Sequence, residues 1–154
     1  KYGWCDIGSS FLPSEFNAAF LWAQLESLDV IQNRRKEIWN QYYEGLKGLA
    51  GKGFFTMPDI PEYATNNAHM FYLVCRSLDE RTKLIAYLKE NGITAVFHYL
   101  SLHLSDYYKS VDNDIPDLPN CDKFADRLVR LPMYFELRNE EVEKIINDIK
   151  EFYG

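Results

Sequence analysis

All three histidines of this chain, His69, His98 and His103, fall in or beside two stretches rich in aromatic and β-branched residues, His69–Cys75 (HMFYLVC) and Ile93–Tyr99 (ITAVFHY). Clustered imidazoles raise a metal centre first. His98 and His103 are five positions apart, so an extended chain points them to opposite faces. No H-x-x-x-H pair and no cysteine–histidine pairing adds a ligand set, so the spacing predicts no metal. A nucleophile and base fare no better: Ser9, Ser10 and Ser101 are present, but no G-x-S-x-G elbow holds one of them on a strained turn. Lys52 lies among Gly45, Gly48, Gly51 and Gly53, yet Leu46 takes the place of the first phosphate-loop glycine and Gly53 that of the hydroxyl residue. What remains is hydrogen-bonding chemistry. A neutral imidazole and a phenol side by side, His98-Tyr99, can hold a polar ligand at neutral pH. On residue pattern alone, a strand end whose rings pack on a helix is the more economical account of the same pair.

The elements that would carry these groups are readable from periodicity. Ser14 before an apolar-periodic run is a helix N-cap, and Phe16, Phe20, Ala23, Leu28, Ile31, Ile38, Tyr42, Leu46 and Leu49 follow at helical spacing. No proline interrupts Glu15 to Ala50, which allows one helix of about 54 Å that would overhang its own domain. The alternative is two helices broken near Gln32–Lys36. Beyond the glycines, His69–Cys75 reads as a strand, Asp79–Asn91 as an amphipathic helix closed by Gly92, and Ile93–Tyr99 as a second strand. Ser101–Pro119 is polar and reads as a long surface loop. Cys121–Arg127 is then a short helix, Leu128–Leu131 a strand ended by Pro132, and Glu140–Phe152 a last helix. The pattern is an α/β class with an α+β-like small domain: a long helix over 14–50 and a body over 54–154 in which helices cover a small sheet.

Composition bounds the function. At 154 residues the chain suits one domain, and 47% hydrophobic with 26% charged residues is ordinary for a folded protein. A formal charge of −6 argues against nucleic-acid binding, which needs clustered Lys and Arg. Three widely spaced cysteines fit no disulfide framework, and neither a signal peptide nor a membrane-length apolar run is present; cytoplasm and no membrane partner are the expectations. The chain opens at Lys1, without methionine and already densely patterned, as a piece of a longer protein would.

Three segments together carry a likeness: GSSFLPSEFNAAFLWAQLE (Gly8–Glu26), AHMFY (Ala68–Tyr72) and AVFHYLSLH (Ala95–His103). They resemble the C-terminal part of sugar aminotransferases of the DegT/DnrJ/StrS type, above all the branch that aminates dTDP-linked 4-keto-6-deoxy sugars for surface polysaccharide such as enterobacterial common antigen. The resemblance implies the small C-terminal domain of a fold type I, homodimeric enzyme that uses pyridoxal phosphate and takes an amino group from glutamate. It also implies that the cofactor-bonding lysine lies upstream, before a Gly-rich run, because Lys36, Lys47, Lys52, Lys83 and Lys89 lack that context and Lys1 is only the first residue. The chain alone should then be inactive, with no catalytic residue of its own. Where many members have G-x-N-Y-R, this chain has Gly8-Ser9-Ser10-Phe11-Leu12, so Ser10 takes the place of an asparagine that reaches the cofactor phosphate, and Leu12 replaces the arginine. By the same resemblance His98, Tyr99 and His103 border the sugar pocket, with Ser101 where the family usually has proline. His98 and Tyr99 serve one pocket only if the chain turns, which is expected at Tyr99–Ser101. The alternative is a non-catalytic module that binds a small ligand or a protein.

Overall fold

A computed structural model describes residues 6, 8, 12–112 and 114–154. Its elements run α1 (Glu15–Leu25), α2 (Leu28–Gly51), β1 (Phe55–Thr56), β2 (Phe71–Cys75), α3 (Leu78–Glu90), β3 (Val96–Phe97), a 3₁₀ turn (Leu102–Leu104), α4 (Asp106–Val111), α5 (Pro119–Arg127), β4 (Leu128–Leu131) and α6 (Asn139–Tyr153). The four strands form one antiparallel sheet in the order β1-β2-β4-β3. This is the helix-covered sheet expected from the periodicity.

Register decides which side chains meet the helices. Phe71 pairs with Leu131 and Leu73 with Val129, and all four are buried in the main core. The neighbouring pairs, Tyr72 with Arg130 and Val74 with Leu128, therefore point to the other face. On the core side, α2 and α6 pack together, with Ile38, Tyr42 and Leu46 meeting Val142, Ile145, Ile146 and Ile149. Each such side chain taken fully out of water contributes roughly 1.5–3 kcal/mol before ordering costs. Tyr42 enters this core whole because its hydroxyl donates to Pro132 O at 2.9 Å. Gly45 fixes how close the two helices come: a Cβ there would stand 2.7 Å from Ile146 Cδ1.

Arginines on α2 tie the helix to the loops that frame the sheet. Arg35 donates through Nε to Ala68 O at 3.1 Å and through Nη2 to His69 O at 2.5 Å, while Arg34 donates to Leu137 O. Ala68 is fully buried with φ 51°, a left-handed backbone that costs a non-glycine residue roughly 1–3 kcal/mol. The Asn66 side chain accepts from Ala68 N at 2.8 Å, so the strained residue is held on both its amide and its carbonyl.

Several expectations need correction. The first helix is neither continuous nor broken near Gln32–Lys36; it breaks at Glu26–Ser27, and Gln32–Lys36 lies inside α2. Ser27 leaves helical geometry at ψ 13°, and its carbonyl then accepts from Ile31 N to start α2. The stretch 101–119 is not one loop, since it contains the 3₁₀ turn and α4, capped where Ser105 Oγ accepts from Tyr108 N at 3.1 Å. Strand β3 is only Val96–Phe97, and the two-residue β1 was not expected. Gly92 does close α3 in the left-handed conformation, at φ 78°.

Helix α1 buries none of its residues, and Phe16 (88% exposed), Phe20 (69%) and Trp22 (70%) stand in solvent. Apolar surface of this kind promotes association. The 154-residue chain is expected to self-associate or bind a hydrophobic dye, and replacing Phe16, Phe20 and Trp22 by serine should abolish this. Because α1 supports no core, the same change should move stability by no more than about 0.5 kcal/mol per site, read by thermal melting.

Candidate functional site

The site begins where β3 ends. The chain leaves the sheet after Phe97, two residues before the turn expected at Tyr99–Ser101, so His98 and Tyr99 are freed from strict alternation. Their rings meet edge to face, with centroids 4.9 Å apart. Both line one cleft of about 220 Å³ with Leu100, Cys121, Phe124 and Ala125, which puts α5 on its far wall. A neighbouring cleft of about 400 Å³, lined by Ser101, Leu104, Ser105, Asp122 and Asp126, shares Leu100 and Ala125 with it.

His103 is placed differently. It is the central residue of the 3₁₀ turn and 4% exposed, with Nε2 at 3.4 Å from Asp122 Oδ1. Ser101 donates to the same carboxylate oxygen at 2.6 Å, and Cys121 Sγ sits 3.6 Å from Ser101 Oγ. The fold thus collects His103, Cys121 and Asp122 with donor atoms within 4.8 Å of one another, a grouping that linear spacing does not disclose. Asp122 Oδ1 already accepts from Ser101 and faces His103, so the cluster acts as a latch between the turn and α5. The latch holds the loop that follows Tyr99.

On the sheet side, His98 Nδ1 is buried and has no partner among the described residues. Burial holds the His98 imidazole below its ordinary pKa, and the nearby Arg130 guanidinium and His69 push it the same way. His98 is therefore neutral at pH 7. Tyr99 is 58% exposed. Ser10, expected at a cofactor phosphate, lies outside the described residues. Cys75 is inert by contrast: burial pushes its thiol up to about 11. No described helix is long and apolar enough to cross a membrane.

Sequence reasoning passed over Asp122 and Arg130. Arg130 carried a usable signal, a charge in the apolar strand Leu128-Val129-Arg130-Leu131. Asp122 carried none, because its partners Ser101 and His103 are about twenty residues away in the chain.

The latch can be tested directly. Asp122→Ala leaves the part-buried Ser101 hydroxyl without its acceptor and removes the carboxylate that faces the buried His103, at a cost of about 1–3 kcal/mol. Chemical denaturation should show that loss. Limited proteolysis should show faster cleavage within residues 100–112, with the body over 54–97 still protected.

Comparison with known proteins places this geometry among relatives. Residues 2–150 match the DegT/DnrJ/EryC1/StrS aminotransferase family. A pleiotropic regulatory protein of Geobacillus stearothermophilus is 30% identical over 154 residues, 99% of this chain and 40% of that protein. A DegT DnrJ EryC1 StrS aminotransferase from Brucella abortus superposes with a TM-score of 0.75 at 29% identity, over 89% of this chain and 35% of that one. The PLP form of Spr1654 from Streptococcus pneumoniae, assigned as a sugar aminotransferase, does so at 0.73 and 27%, over 85% of this chain and 33% of that one. Spr1654 is also known in a PMP form. The chain spans less than half the length of each of these proteins.

Proposed function

This chain belongs to the DegT/DnrJ/EryC1/StrS aminotransferase family, and we propose that it is the C-terminal small domain of a pyridoxal-phosphate enzyme that aminates a nucleotide-linked sugar. In this reading glutamate donates the amino group, a dTDP-linked 4-keto-6-deoxy sugar accepts it, and the product serves surface-polysaccharide synthesis in the cytoplasm. The likeness of the motifs to those of the enzyme making dTDP-4-amino-4,6-dideoxygalactose supports this choice of sugar. The observation that carries the reading is the family match along nearly the whole chain, joined to the His98-Tyr99 pair lining a single cleft.

The described residues do not hold the cofactor by themselves. Every described lysine is exposed, and Lys47, Lys83 and Lys144 are engaged by Glu44, Asp79 and Asp148. A lysine bonded to pyridoxal phosphate needs an enclosed site that keeps water from the reacting carbon. That lysine is assigned to the part of the enzyme outside these 154 residues. The contribution proposed for this domain is a rim: the neutral His98 imidazole and the Tyr99 hydroxyl hold polar groups of the sugar, with His103 set behind them by its tie to Asp122. A homodimer in which the exposed apolar face of α1 is covered completes the assembly.

The first test is the isolated chain, which should form no specific yellow adduct with pyridoxal phosphate and turn over no glutamate. One specifically modified lysine with turnover would move the chemical centre into this domain. The rim is tested in the full-length enzyme. His98→Ala or Tyr99→Phe should weaken use of the nucleotide sugar about three- to tenfold, the worth of one hydrogen bond, and leave cofactor binding and the glutamate half-reaction intact. Equal loss of both half-reactions would mean that the pair serves packing. The competing reading, a non-catalytic module, draws on the regulatory name of the Geobacillus relative. It stands if the coding frame upstream of Lys1 supplies no cofactor-binding lysine before a Gly-rich run.

A further inference from the structure

The sheet face turned away from α2 and α6 carries a charge that no described carboxylate answers. Cross-strand register lines up Tyr72, Arg130 and Val96 in one row across three strands. The next pair on this face, Val74 and Leu128, is buried, whereas Tyr72 and Arg130 are half-buried and Val96 is 39% exposed. Arg130 Nε is buried without a hydrogen-bond acceptor among the described residues. No described carboxylate forms an ion pair with Arg130, although the chain has 23 acidic residues and a net charge of −6. Among the other half-buried arginines, Arg34 donates to Leu137 O and to Glu37, Arg35 to the carbonyls of Ala68, His69 and Met133, and Arg81 to Asp126 O. An unanswered buried donor of a charged group costs free energy, and a native fold that keeps one has a use for it, such as holding an ion or a ligand.

His98 adds a second orphan in the same place. It follows Val96 by two positions, its Nδ1 is buried and unpartnered, and Arg130 and His69 are the charges that act on it. Two buried nitrogens without a hydrogen-bond partner among the described residues thus belong to Arg130, beside Val96 in the register, and to His98, just past the end of β3. We infer that Arg130, assisted by His98, is an oxyanion-binding pair for a substrate carboxylate or phosphate. A guanidinium presents parallel N–H groups that match the two oxygens of either anion, and a neutral imidazole can add one further N–H. The inference deepens the aminotransferase reading, whose two substrates each bring such an anion: the donor amino acid a carboxylate and the nucleotide sugar a diphosphate.

The test separates the two sources and does not depend on catalysis. The Arg130 Nε–H and the His98 ring are followed by NMR in the ¹⁵N-labelled chain during titration with glutarate in one arm and dTDP in the other. A saturable shift of the Arg130 Nε–H, with the titration midpoint of His98 moving upward as an anion arrives, establishes the site; the arm in which it occurs names the anion. No saturable shift in either arm up to tens of millimolar overturns it. In the full-length enzyme, Arg130→Met keeps the apolar stem and removes the fork. It should raise KM about ten- to a hundredfold for the substrate that bears that anion and leave the KM of the other unchanged. Arg130→Lys should restore part of the loss. Equal effects on both half-reactions, or none, count against the pair. If the wild-type enzyme transaminates no sugar, the functional reading fails while the NMR arms still decide the anion site.

Discussion

Everything in this domain follows from a sheet that buries only one face under its long helices. Phe71, Leu73, Val129 and Leu131 turn toward α2 and α6, and that side holds most of the apolar area. Antiparallel pleating then forces Tyr72, Arg130 and Val96 onto the opposite face, where no residue of the main core lies. The helices set the position of the functional side by exclusion. The closeness of the helix pair rests on Gly45 against Ile146, and the buried Tyr42 hydroxyl ties α2 to Pro132 at the end of β4.

The loop carrying His98 and Tyr99 is held from outside that core. Asp122 on α5 gathers Ser101 and His103, so the segment after β3 is fastened at its far end by polar contacts. At its near end it is fastened by two ladder residues, Val96 and Phe97. A short ladder and a polar latch hold this loop, and none of its residues 98–101 belongs to the main apolar core. Such segments open at low cost, which suits a rim that must admit a ligand.

Periodicity made the helices of the body and the two central strands legible, because Ile38, Tyr42 and Leu46 repeat at helical spacing and Phe71 to Cys75 is a compact apolar run. The break at Glu26–Ser27 was not legible, since no glycine or proline marks it and the local hydrogen bonds of Ser27 decide it. Helix α4 was hidden by its length: six residues are too few to show a period, and Ser105 serves as readily in a loop as in a cap. At the site, His98 and Tyr99 stood out as adjacent polar aromatics. Asp122 and Arg130 did not, because the meaning of each lies in partners present or lacking across the fold. Motif likeness supplied the family, which neither composition nor spacing contained.

The clamp on Ala68 joins parts that look separate. Arg35 belongs to α2, yet it grips the carbonyls of Ala68 and His69 immediately before β2, at a residue whose backbone is already strained. Helix and strand entrance are therefore tied at one point. The exposed α1 leads directly into α2, so the same helix that carries the protruding apolar face also fixes where His69 and the entrance of β2 lie. One arginine thus makes the placement of the protruding arm and the placement of the strand entrance a single structural decision.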